Sequence, residues 1–202
     1  MNLKPTLLFL MLFIAGVNLK AQEMRLEPGT NIRIETGTTL DISDGNLVLE
    51  SDATGDASLL DYGNVTYSGS GQANVQRYIT ESQWHVISSP VTSAVSGMFL
   101  NDFLQHHTEI SNLWSYISAT TLPLNTMQGF ALWSVEPGPT SEVFTGITHT
   151  GLQNKAFTKD GEGWNLLGNP YPSAIDWDEV TIPAELGGAF WLWDPTIGTI
   201  GD

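Results

Sequence analysis

Three carboxylates stand close together late in the chain, Asp176, Asp178 and Glu179, and a carboxylate pair facing a cleft is what glycoside hydrolysis requires. Residues 176 and 178 lie too near each other in sequence to flank a sugar ring, and acids at a helix start are favoured by the helix dipole without any catalytic duty. His106 and His107 are adjacent and cannot share one helical face, so no zinc-helix motif forms. His85 alternates with apolar neighbours, which predicts that it points outward. Ser88, Ser89 and Ser93 lack the Gly-x-Ser-x-Gly elbow of the serine hydrolases. No catalytic residue is assigned, and the chain is read as a non-enzyme.

The metal reading narrows to calcium, because Asp41, Asp44, Asp52 and Asp56 are hard oxygen ligands. Their spacing fits no EF-hand loop and no glycine-aspartate nonapeptide repeat. Turn-forming aspartates on a solvated rim are the plainer account, so no cofactor is expected. The aromatics carry more weight. The chain has 7 Trp, and exposed Trp or Tyr faces stack on sugar rings and other flat ligands. Trp84 and Trp164 lie in strand-like runs at matching positions of an internal parallel and are read as core anchors. Tyr171, Trp177 and Trp191 lie beside corners without counterparts upstream, and form the candidate ligand-binding set.

The elements that position these residues follow from turn chemistry. Trp164 to Leu167 is a short apolar run between Gly163 and Gly168, which predicts a buried strand. Asn169 before Pro170, then Pro170-Tyr171-Pro172, makes a stiff extended corner. Ser173 with Asp176 three residues on predicts a capping box opening a short helical turn. Upstream, residues 22–79 alternate apolar pairs (Ile32 and Ile34, Leu40 and Ile42, Leu47 and Leu49, Leu59 and Leu60, Val65 and Tyr67, Val75) with runs of Gly, Ser, Asp and Asn. Strands so short and evenly spaced predict a β-solenoid or a meander, with an antiparallel sandwich half as the alternative.

Length and charge bound the partners. One or two domains fit 202 residues. A net charge of −15 argues against nucleic acid or an anionic membrane surface as partner. Lys4 followed by the apolar run Leu7 to Val17 reads as an export signal (1–21), too short for a membrane span, with cleavage between Ala21 and Gln22. No membrane span is expected once it is removed. The absence of cysteine excludes lipoprotein anchoring and a disulfide scaffold.

The internal parallel is the most informative feature. Trp84 to Ser96 aligns without gaps on Trp164 to Asp176, sharing Trp, Pro, Ser and Ala at an offset of 80 residues. Leu113-Trp114-Ser115-Tyr116 then answers Leu192-Trp193-Asp194-Pro195. This predicts two sandwich-like units in tandem, 80–158 and 159–202. The counterpart of Met127 to Trp133 would fall beyond Asp202, so the second unit is expected to be incomplete and the chain truncated at its C-terminus.

The run Gly163 to Trp177, with Leu47 to Gly55, Arg77-Tyr78-Ile79 and Trp84 to Pro90, resembles a motif of large secreted and cell-surface β-rich, adhesin-like proteins of Bacteroidota. Those proteins usually end in a type IX secretion sorting domain. The resemblance covers nearly all of the chain after the signal. It implies an exported, all-β structural or adhesive module whose partners are extracellular glycans or other surface proteins, and it supplies no catalytic residues. A carbohydrate-binding module is the alternative. No sorting domain is present in the sequence, so a periplasmic location is the expectation if none follows.

Overall fold

The computed structural model describes residues 23–186, 190–194 and 199–201; the expected cleavage site at Ala21 and Gln22 lies outside them. The described residues form an all-β protein with three short 3₁₀ turns. No helix among them is long and apolar enough to cross a membrane.

The first part is a solenoid. β1 (Glu23–Leu26), β2 (Asn31–Ile34) and β3 (Thr39–Ser43) make one coil. β4 (Asn46–Leu49), a small hairpin of β5 (Ser51–Asp52) and β6 (Gly55–Asp56), then β7 (Ser58–Asp61) and β8 (Asn64–Ser68) make the next, and β9 (Gln72–Ile79) opens a third. Apart from that hairpin, the strands pair in parallel with those one coil away: β1 with β4, β4 with β9, β2 with β7 and β3 with β8. Parallel pairing at that separation rules out a meander and an antiparallel sandwich half, because both join neighbours by hairpins.

Period-two alternation explains the coil. Leu26, Leu49 and Val75 stack in register, as do Met24, Leu47 and Ala73, and these residues pack in the core. At the corners the chain must pass close to the coil below, so a Cβ on Gly63 would collide with the carbonyls of Glu35 and Thr38. The aspartates considered for calcium serve the same corners. Asp41 accepts from the Ser43 and Thr66 hydroxyls at 2.5 and 2.8 Å, and Asp52 from the Thr54 amide and hydroxyl at 2.7 and 2.6 Å. Asp44 accepts from the Ser70 amide at 3.1 Å, and Asp56 from the Ser51 hydroxyl. No group of three or more His, Asp or Glu side chains placed to hold a metal occurs among the described residues.

The second layer is an antiparallel sheet of β10 (Trp84–Ile87), β11 (Phe103–Thr108), β12 (Leu113–Tyr116) and β13 (Phe130–Trp133), ordered β10-β13-β11-β12. The next strand, β14 (Thr140–Gly146), leaves this sheet and pairs antiparallel with β9, extending the solenoid sheet to β1-β4-β9-β14. It covers an edge that would otherwise offer free N–H and C=O groups to any other chain. The two four-stranded sheets share one core, in which Phe130, Leu132 and Phe144 are fully buried beside Leu49 and Val75, and Phe99 meets Phe144 edge-on at 5.9 Å. Burying a phenylalanine side chain of this kind contributes about 1.5–3 kcal/mol.

The second tryptophan motif departs from its expectation. Trp164 to Leu167 is neither a strand nor buried: Leu167 forms one isolated bridge with Gln128, and the Gly129 amide donates to Leu166 O at 3.2 Å. From Phe130 onward β13 already has β10 on one side and β11 on the other, so only its lead-in is open to pairing. Trp164 is 51% exposed, which overturns its reading as a core anchor. The helical turn is a 3₁₀ turn at Trp177–Glu179, capped by Asp176, whose carboxylate accepts from the Asp178 amide at 3.1 Å; Ser173 does not cap it. Beyond it, β15 (Leu192–Asp194) and β16 (Thr199–Gly201) form a hairpin.

Candidate functional site

The register of the antiparallel sheet sorts its side chains into two faces. Trp84, Trp133 and Phe103 stand in one row across β10, β13 and β11. Two residues along, Val86, Ala131, Gln105 and Tyr116 make a second row, and His107 with Trp114 a third. The intervening rows hold Leu132 with Leu104 and Phe130, all in the core. Successive residues of a strand point to opposite faces, so the three aromatic rows share the face away from the core, and Trp84, expected as a core anchor, lies on that outer face.

That face is open. Phe103 is 50%, Trp114 49% and Tyr116 65% exposed, and Val86 is also exposed. The rings are braced against one another rather than loose. Trp84 meets Trp133 edge-on at 5.6 Å, Phe103 meets Tyr116 edge-on at 5.9 Å, and the His107 ring lies 5.3 Å from Trp114. His107 Nε2 lies 3.0 Å from Asn112 Oδ1, and Asn112 Nδ2 donates to Glu162 at 2.8 Å, which fixes the imidazole beside the indole. Such a surface offers flat apolar area with few charges, suited to stacking a ring or seating another apolar surface.

One carboxylate anchors the segment beside this face. Glu109 is buried and receives hydrogen bonds from the Asp160, Gly161 and Gly163 amides at 3.0, 2.9 and 2.7 Å and from the Thr158 hydroxyl at 3.1 Å. Burial alone would raise its pKa, but these donors outweigh that effect and hold it below its ordinary value.

The residues expected to bind ligand do not converge on one platform. Trp177 packs on Phe190 with ring centroids 3.9 Å apart, and the next residue, Trp191, meets Trp164 at 6.4 Å and an angle of 56°. Trp177 and Trp191 are thus joined through the Phe190-Trp191 step, as two tilted ring pairs. Tyr171 belongs elsewhere: its hydroxyl donates to Gly151 O at 2.7 Å and accepts from the Gln153 amide at 3.2 Å.

Of the residues weighed for catalysis, Asp176, Ser88 and Ser89 have structural partners. Asp176 caps the 3₁₀ turn, Ser88 Oγ donates to Asn169 O at 2.6 Å, and Ser89 Oγ donates to Val91 O at 2.7 Å. His85 does not point outward. It sits on the row of Leu132, with Nε2 3.1 Å from Thr80 O, and burial lowers its pKa. The aromatic face itself went unseen because its rings are scattered over four strands. The available signal was the period-two spacing in Trp84-x-Val86, Phe103-x-Gln105-x-His107 and Trp114-x-Tyr116.

One family model matches the chain over residues 11–197, that of a domain of unknown function, DUF8693. No curated protein and no solved structure matches it.

Proposed function

The chain belongs to the DUF8693 family, and we propose that it is a non-catalytic, exported structural or adhesive module. The observation that carries this reading is the braced aromatic face of β10-β13-β11-β12, open to solvent on a sheet whose other side fills the core. The solenoid supplies a stiff mount, and the aromatic face supplies area for holding an extracellular glycan or another surface protein. Export is supported by Lys4 with the apolar run Leu7 to Val17, and the adhesin-like assignment by the Trp-Pro motifs quoted above. The duplication and the link to type IX secreted proteins rest on those same motifs.

Array binding tests it. The protein starting at Gln22 is applied to glycan and extracellular-matrix arrays beside Phe103→Ser/Tyr116→Ser. Binding that the double variant loses supports the reading; unchanged binding by the variant, or turnover of an arrayed substrate, overturns it. A carbohydrate-binding second reading is favoured by the joint exposure of Trp164 and Trp191, and Trp191→Ala in the same array separates it from the sheet face.

A further inference from the structure

Of the four edges that the two four-stranded sheets leave, three are protected. β1 carries Glu23 and Arg25, and β14 carries Glu142. β10 gives its Trp84 carbonyl to the Trp193 indole N–H at 2.7 Å. Charges and covering side chains of this kind keep an edge from pairing with another chain. β12 has neither. Its residues Leu113-Trp114-Ser115-Tyr116 are uncharged and exposed, and among the described strands it pairs with β11 alone.

The free side of β12 follows from its register. Ile117 lies opposite Leu104, one step beyond the paired residues, and its amide donates to Leu104 O at 2.8 Å. Hydrogen-bonded and non-hydrogen-bonded pairs alternate along an antiparallel ladder, so Leu113 and Ser115 direct their N–H and C=O groups to β11. Those of Trp114 and Tyr116 point the other way, out of the sheet edge.

Charge limits what can dock there. The chain carries −15 overall, yet no Asp, Glu, Lys or Arg occurs from Ile110 to Val135, a stretch that holds both β12 and β13. Two copies repel one another through their acidic surface, and β12 is an edge at which they can meet without opposing charges. A two-fold axis through Ser115 makes the strand its own partner. It sets Trp114 opposite Tyr116 of the second copy and Tyr116 opposite that copy's Trp114, so the outward N–H and C=O groups of both strands pair with one another. Residues directly opposite share a face, and aromatic pairs across strands stabilise a sheet.

We infer that β12 is a self-association edge, at which two copies of this chain join antiparallel about Ser115 into one eight-stranded sheet. An axis perpendicular to the sheet leaves both open aromatic faces on the same side, where they form one continuous surface. A multivalent partner would then be gripped by both copies at once, which raises avidity without any new contact. The pairing itself needs no ligand, so it stands or falls separately from the adhesive reading.

Sedimentation velocity of the protein starting at Gln22, run from about 1 to about 300 μM, tests it. The seam is short, so the dimer is expected to be half-formed at about 10–100 μM. Ser115 is exposed, and Ser115→Lys keeps every ring while setting two like charges directly opposite; it should weaken dimerisation at least about tenfold. Ser115→Cys reads the register in a chain that has no cysteine of its own. Facing residues of a non-hydrogen-bonded pair have Cα atoms about 4.5 Å apart, within the disulfide range of about 4.4–6.8 Å, so this variant should form a linked dimer on mild oxidation. Leu113→Cys would lie about 13 Å from its mate at about 3.3 Å per residue and should stay unlinked. A monomer throughout the range, a dimer untouched by Ser115→Lys, or equal linking at 113 and 115 would overturn the inference.

Discussion

The two tryptophan motifs share Trp, Pro, Ser and Ala yet are held in place by different forces. Trp84 to Ile87 is a strand in a four-stranded sheet, and its Pro90-Val91 corner is fully buried. Trp164 to Leu167 has one bridge, and its tryptophan is exposed. What fixes the second motif is a set of polar and steric contacts: Glu109 to the 158–163 segment, Ser88 to Asn169, and Pro172 to Leu59. The motif therefore encodes a corner that any nearby partner can receive; the strand in front of it exists only where a sheet edge is free.

The largest effect should fall on the first motif's sheet. Phe130→Ala removes a fully buried ring and is expected to cost about 3–5 kcal/mol, seen as one lowered transition for the whole molecule in denaturant titration. Local loosening with the core intact would break the comparison.

Next comes the contact between the two motifs. Gly168 aligns with Ser88, and a Cβ on Gly168 would collide with the Ser88 side chain. Gly168→Ser is expected to cost about 1–3 kcal/mol and to speed hydrogen exchange in 158–176. The double variant Ser88→Gly/Gly168→Ser should recover most of that loss; no recovery would mean that the motifs do not meet at these positions.

A smaller, local effect belongs to Glu109. Its folded-state pKa lies below the ordinary value of 4.5, so its contribution is present above that value and fades as pH falls through the folded-state value. Hydrogen exchange of the Asp160, Gly161 and Gly163 amides should rise on that acid descent while β10 and β13 stay protected, and Glu109→Gln should show the same pattern at neutral pH.

The smallest effect marks function against structure. Tyr116→Ser on the open face should change stability by no more than about 0.5 kcal/mol, measured by thermal unfolding. A larger loss would make that ring structural and weaken the adhesive reading.

The series of short strands was legible because its determinants are local, although the choice between solenoid and meander was not. Alternation in Leu47-Val48-Leu49 and turn residues such as Ser43-Asp44-Gly45 act within a few residues, and they recur once per coil. The aspartate corners were equally legible, since Asp52 and Thr54 need only each other. The candidate sites were not legible. Tyr171 was singled out for standing where the first motif has Val91, but where it comes to rest depends on a bond from Leu59 to Pro172 across the fold.

By itself, then, the sequence determined the all-β class, the series of short strands and the rigid proline corners, because strand alternation and restricted backbone angles are properties of adjacent residues, while the parallel pairing of those strands into coils came from the structure. Tertiary structure alone decided that β14 would cover the solenoid sheet, that Trp164 would remain in solvent while Phe130 was enclosed, and that Asp61 Oδ1 would be closed off without a partner. Each of those outcomes depends on which edges and surfaces were already taken when distant segments met, and no local pattern records that.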